Sequence, residues 1–186
     1  SCTGDLDVTP IDPNLNTKEN TSPESAFNKC YAHIAMAGNG GANGDSDVDG
    51  IDGGTSGYVR QLFNSQELTT DEAICSWGDE GISNFNFNSY DASHPMLRGF
   101  YYRLYVGITY CNQYLADFGD YNATMSAEVR FIRALNYYYL LDGWGNVPFT
   151  TAISSAKPAR IQRADLYKWL IDELKNEVEP KLNDAS

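Results

Sequence analysis

Trp77 stands between two acidic stretches. Asp71 and Glu72 precede it, Gly78-Asp79-Glu80 follow it, and Arg60 lies a short way upstream. A sugar ring offers a patch of C–H bonds on one face and hydroxyls around its edge. An indole or phenol ring covers such a face, while carboxylates, amides and guanidinium groups satisfy the hydroxyls. The residue types around Trp77 suit that division of labour: the ring as platform, with Arg60, Asp71 and Asp79 as hydroxyl partners. Trp77 also reads as a buried anchor for its own loop. Tyr58, Tyr90 and Trp144 are lesser platforms of the same kind in a chain that carries 13 Tyr, 8 Phe and 3 Trp.

A second pattern suits a metal. Asp45-x-Asp47-x-Asp49-Gly50-x-Asp52 sets carboxylates at alternate positions on a glycine-broken loop, the donor set calcium takes. Its first six positions match the EF-hand loop, but position twelve is Ser56 where a bidentate Glu belongs. No helix pair of EF-hand type frames it. The loop is therefore either stabilised by calcium or simply acidic and solvated, and no cofactor is required by any other motif.

Nucleophilic catalysis finds no support. The two histidines, His33 and His94, have no Ser or Cys partner at a recognised spacing. Carboxylate pairs are unavoidable among 25 acids, so they do not argue for a glycosidase. The glycine-rich run 38–57 lacks GxxxxGK and contains no lysine, which removes a phosphate loop. The four cysteines, Cys2, Cys30, Cys75 and Cys111, show no CxxC or Cys/His spacing, so zinc is not indicated. Ser1-Cys2 followed by Thr3, Gly4, Asp5, Leu6 and Asp7 looks like the end of a bacterial lipoprotein signal, with Cys2 as the acylated residue; the alternative is an ordinary N-terminal cysteine. With Cys2 lipidated, at most one pair can form among the other three thiols.

Several elements must position these residues. Residues 1–21, rich in Pro, Asn, Asp and Thr, read as an extended tether. Ser22-Pro23 opens a helix, with Phe27, Cys30, Tyr31, Ile34 and Ala35 on one face and Gly38 as its stop. The run 38–57 has almost nothing to bury and is a long loop. Tyr58–Leu68 is a short amphipathic segment, another helix is expected after Thr70, and 78–95 is again loop-like. Three long apolar stripes at helical period run from Met96 to Phe118, from Met125 to Asp142 and from Ala164 to Leu182, the last ended or kinked by Pro180. Strand signal is confined to Val147–Thr151. The class is all-α, with helical hairpins stacked in a tetratricopeptide-like way between long irregular loops, although no exact internal repeat is present.

The 186 residues make one ordinary domain or a little more. Hydrophobic content is 42% and charged content 20%, normal for a globular chain. Twenty-five acids against thirteen bases give a net charge of −12. That charge argues against nucleic acid as a partner and against direct attraction to an anionic membrane. No run of about 20 apolar residues crosses a bilayer as a helix.

The segment from Ala127 to Phe149, AEVRFIRALNYYYLLDGWGNVPF, resembles the signature AExRFLRAxxYFxLxxxFGxVPL of the SusD/RagB family. Those proteins are outer-membrane lipoproteins of Bacteroidetes that capture nutrients, mostly glycans. Three further pieces fit in order: Cys2 with its acidic followers, Thr69-Thr70-Asp71-Glu72 with Trp77, and Arg160 to Tyr167 with Ile171 and Glu173-Leu174. The resemblance implies a tether over 1–21 and the N-terminal helical domain of the family over 22–186, with the family's C-terminal part absent. It implies a lipid anchor at Cys2 on the cell surface, with the signal peptide already absent and the membrane met only through the anchor. It also implies that Trp77 is a stacking residue in glycan binding without turnover, and that the ligand is passed to a SusC-like TonB-dependent barrel. The signature helix itself reads as scaffold, in which Arg130 and Arg133 need not share one face. The alternatives to glycan binding are a helical-repeat module that binds a polypeptide and, further off, a glycoside hydrolase.

Overall fold

The computed structural model describes residues 21–36, 46, 48, 51–91 and 93–182. Residues 1–20 of the tether expected over 1–21, Cys2 among them, lie outside the described residues. Ser22 caps the first helix as its side chain allows, its Oγ accepting from Ser25 N at 3.1 Å. Helix α1 runs over Pro23–Ala35, α2 over Tyr58–Gln66, α3 over Ile82–Asn86, α4 over Pro95–Phe118, and α5 over Ala123–Trp144. A two-residue β1 (Val147–Pro148) pairs antiparallel with β2 (Arg160–Ile161) before α6 over Arg163–Glu173. These are the only strands among the described residues.

Two long helices joined by the four-residue loop 119–122 must lie antiparallel, and α4 and α5 form the central hairpin of an all-α fold. Helices α1 and α2 pack on α4, and α6 packs on α5. The main core gathers Phe100, Leu104 and Ile108 from α4, Tyr137, Leu140 and Leu141 from α5, and Leu166 and Leu170 from α6. The helices cross closely at Gly107, where a Cβ would sit 2.2 Å from His33 Nε2 and 2.4 Å from Asn136 Nδ2. Any side chain there would displace the His33 imidazole and the Asn136 amide.

Three local expectations are corrected. No helix follows Thr70: residues 69–72 form a turn in which the Thr70 hydroxyl donates to Glu67 O at 2.7 Å and accepts from Glu72 N. The supposed loop 78–95 contains α3, a helix of five residues, too short for its period to show. It starts at Gly81, whose φ of +87° a side chain would strain. The last helix does not kink at Pro180 alone. It widens into a π turn over Leu174–Val178 and tightens to a 3-10 turn over Glu179–Lys181. A proline has no N–H and its ring crowds the carbonyl four residues back, so the turns before it cannot stay α-helical.

Several buried polar side chains are linked in hydrogen-bonded chains. Tyr58 O–H donates to Asn136 Oδ1 at 3.0 Å, and Asn136 Nδ2 donates to His33 Nε2 at 2.9 Å and Leu104 O at 3.1 Å. His33 Nδ1–H then donates to Cys30 O at 2.6 Å. Burial keeps the imidazole neutral and holds its pKa below the ordinary value. Arg130 and Arg133, which by spacing need not share one face, both donate to Glu173 Oε1, at 2.8 and 2.9 Å. Residues three apart on a helix are neighbours, and α6 delivers one carboxylate between them. Tyr137 accepts from Thr150 N at 2.9 Å and donates to Thr150 O at 2.7 Å, which ties the strand exit to the signature helix; burial pushes its phenol up to about 12.

Candidate functional site

Arg60 organises the site. It projects from the first turn of α2, and its guanidinium makes three kinds of contact at once. Nη1 donates to Gly54 O at 2.9 Å, Nη2 donates to Asp79 Oδ2 at 2.5 Å, and the carbon between them lies 5.0 Å from the centre of the Trp77 ring. A planar cation over an indole is attracted by the negative face of the ring, while its edges stay free to donate. The loop before α2, the loop after residue 72 and α2 itself thus meet on one side chain.

The loop side of this arrangement is stiff. Gln61 Nε2 donates to Thr55 O at 2.5 Å. Arg103, fully buried on α4, donates to Ser56 O at 3.1 Å and Ser56 Oγ at 3.0 Å. Asp52 accepts from Thr55 N at 3.0 Å. Hydrogen bonds from Thr55 hold the Asp52 carboxyl below its ordinary range, and the nearby Arg60 charge adds to them.

The ring side is open. Trp77 is 64% exposed, so it is not sealed in as an anchor. One face carries the guanidinium, and the rest of the indole meets solvent. Ile74, 83% exposed, and Phe87, 80% exposed, add apolar surface on the same loop and just after α3. Sequence reasoning passed over both, and only their isolation among polar neighbours pointed to exposure. An apolar plate with a guanidinium and a carboxylate at its rim can stack on one face of a ring while donating to and accepting from its substituents.

The remaining expected residues separate. Tyr58 is a correction: it is 3% exposed and packed edge-on against His33 and Phe100, with its O–H spent on Asn136. Burial raises its phenol pKa strongly. It opens α2, but the apolar ring points to the hairpin, because that face of α2 is the one that packs on α4. Asp71 is exposed in the turn after α2, and among the described residues no hydrogen bond or ion pair joins it to Arg60, Trp77 or Asp79. Tyr90 is 44% exposed but leans on Phe85 and His94. Trp144 is half-buried against Phe100 and Tyr101. His94 caps α4, its Nδ1 accepting from Leu97 N at 3.3 Å.

Of the aspartate loop, Asp45, Asp47 and Asp49 lie outside the described residues. Asp52 is described, and its Oδ1 serves Thr55. Among the described residues no group of three His, Cys, Asp or Glu side chains could hold a metal ion, and no helix is long and apolar enough to cross a membrane.

No protein-family model matches the chain. It is 36% identical over 184 residues to the starch-binding protein SusD of Bacteroides thetaiotaomicron, which aligns with 96% of this chain and 33% of that protein. The chain therefore spans about a third of the length of the curated relative it matches. Among solved structures, a SusD superfamily protein from Bacteroides vulgatus superposes with a TM-score of 0.65 over 92% of this chain and 36% of its own, at 16% identity. A SusD-like carbohydrate binding protein from Bacteroides fragilis gives 0.55 over 86% of this chain and 31% of its own, at 18% identity. At those identities the likeness to the two structures is one of fold.

Proposed function

With this chain belonging to the SusD family, we propose that it is a carbohydrate-binding portion of a cell-surface protein that delivers glycan to a transporter. The observation that carries the reading is the exposed Trp77 ring with Arg60 stacked on it and Asp79 paired to Arg60. A pyranose laid on the open part of the indole would present its hydroxyls to the Arg60 and Asp79 edge. Arg60 keeps donor hydrogens beyond those it spends on Gly54 and Asp79, because a guanidinium has five. Asp79 keeps acceptor capacity on its second oxygen.

The protein binds and does not turn over its ligand in this reading. It sits at the outer membrane through an acyl group on Cys2 and hands oligosaccharide to a SusC-like TonB-dependent barrel. Anchoring by lipid is compatible with a net charge of −12, since charge need not hold the protein at the membrane.

Affinity electrophoresis tests the binding step. Starch, the ligand class in the name of the 36%-identical relative, is the first polysaccharide in the gel, and a panel of others follows. The expected result is retardation by at least one polysaccharide that disappears in Trp77→Ala. Retardation unchanged in Trp77→Ala removes the site, and reducing sugar released during incubation removes the non-catalytic reading.

A further inference from the structure

A cleft of about 520 Å³ opens between α3 and the start of α4, with Glu80, Asn84, Asn88, Tyr90, Asp91 and His94 in its lining. That volume lies in the range of small-ligand pockets. Glu80 follows Asp79 directly in the chain, and Asp79 is the residue paired to Arg60. Neighbouring Cα atoms are about 3.8 Å apart, so the cleft begins one residue away from the Trp77 site.

The walls of the cleft are fixed by the fold. Asn84 Nδ2 donates to Ser89 Oγ at 3.3 Å, and Asn88 Nδ2 donates to Thr69 O at 3.3 Å. Asn88 holds a φ of +50°, a left-handed conformation that asparagine tolerates better than most residues. The Tyr90 ring is set by Phe85 and His94, with ring centres 5.7 and 6.2 Å away. Both nitrogens of the buried His94 are occupied. Nδ1 accepts from Leu97 N, so Nε2 carries the hydrogen and donates to Gly81 O at 2.9 Å.

Several polar ends in the cleft remain unspent. Among the described residues, the Tyr90 O–H and the Glu80 carboxylate make no hydrogen bond or ion pair, and the side-chain carbonyls of Asn84 and Asn88 accept none. A phenol, amides and carboxylates beside an aromatic ring are the partners that sugar hydroxyls take. No lysine or arginine lines the cleft, whereas two carboxylates do. A uronate or a sulfated sugar would therefore meet like charge there.

We infer that this cleft is a second sugar subsite, which takes an uncharged sugar residue of the same glycan chain that stacks on Trp77. The inference rests on the glycan-binding reading of Trp77 and narrows its ligand class to glycans with uncharged residues.

The test is NMR of the N–H groups of the isotope-labelled full chain, titrated with maltohexaose and with cellohexaose, and with hexagalacturonate as the charged counterpart. At least one uncharged probe is expected to shift the Trp77 indole N–H and the side-chain amides of Asn84 and Asn88 along one binding curve. Glu80→Gln combined with Tyr90→Phe weakens that binding by about threefold or more. The melting temperature stays unchanged, because neither polar group is bonded within the fold and the Tyr90 ring is kept. Hexagalacturonate leaves the two amides unmoved. A shift at Trp77 with both amides still overturns the subsite and leaves the Trp77 reading standing, as does full affinity in the double variant. Amide shifts with hexagalacturonate overturn the uncharged class. No shift at either place with both uncharged probes overturns the inference together with the reading it rests on.

Discussion

The guanidinium of Arg60 lies 5.0 Å from the ring centre of Trp77 while its Nη2 donates to Asp79 at 2.5 Å. One side chain therefore sets the orientation of the ring and of the carboxylate beside it. Loss of Arg60 affects binding through both.

Trp77→Ala removes an exposed ring, so stability stays close to wild type while binding weakens by at least tenfold, about 1.4 kcal/mol. Arg60→Lys keeps the charge but not the planar fork, and it weakens binding with a smaller loss of stability than Arg60→Ala. Calorimetry with whichever polysaccharide retards the protein, alongside thermal melts, separates the two effects. Equal affinity for wild type and Trp77→Ala would remove the ring from the site.

Tyr58→Phe keeps the buried ring and deletes the donor to Asn136. The orphaned Oδ1 costs about 1–3 kcal/mol. Urea denaturation should show a lower midpoint with an unchanged slope, and retardation by polysaccharide should match wild type. Loss of retardation in a fully folded Tyr58→Phe protein would return Tyr58 to the binding surface.

His33 makes stability depend on pH. Burial holds it neutral in the folded chain, with hydrogen bonds to Cys30 O and Asn136 opposing the shift and the Arg103 charge adding to it. The unfolded chain takes up a proton below about 6.5, where the folded chain does not. The unfolded state then binds more protons, so this contribution is fully present above pH 6.5 and is lost as pH falls below it. Urea midpoints measured at pH 7.5 and 5.5 should drop for wild type and drop less for His33→Gln. Identical slopes in the two proteins would show that His33 does not titrate on unfolding.

Glu173 serves two arginines. Glu173→Leu leaves Arg133 buried without its carboxylate and costs about 3–5 kcal/mol. Adding Arg133→Met recovers part of that loss, because the uncompensated charge goes with it. A double-mutant cycle on urea midpoints reads the coupling, and strict additivity would mean the pair is not coupled.

The long helices were legible because their stripes are long. Over α4 and α5 the apolar period repeats through many turns, and their observed limits fall close to those expected. The Ser22 cap was legible from residue type alone. Helix α3 was not, because five residues hold barely more than one turn. The turn at residues 69–72 read as a helix start because Asp71 and Glu72 suit a first turn as well as they suit an exposed one. Tyr58 read as a platform because a tyrosine opening a helix looks the same from either face. Its burial depends on α4, some forty residues away in the chain.

Composition, helical period and the signature over Ala127–Phe149 determined the fold class and the family, since these are properties of residue type and spacing along the chain. They also put Trp77 and Arg60 forward as partners of a ligand. Tertiary structure alone decided which rings face water, that Arg60 reaches Trp77 and Asp79 together, and that Arg130 and Arg133 close on Glu173. Those outcomes depend on distances between helices distant in sequence, and the packing of α1, α2 and α6 on the α4–α5 hairpin sets those distances.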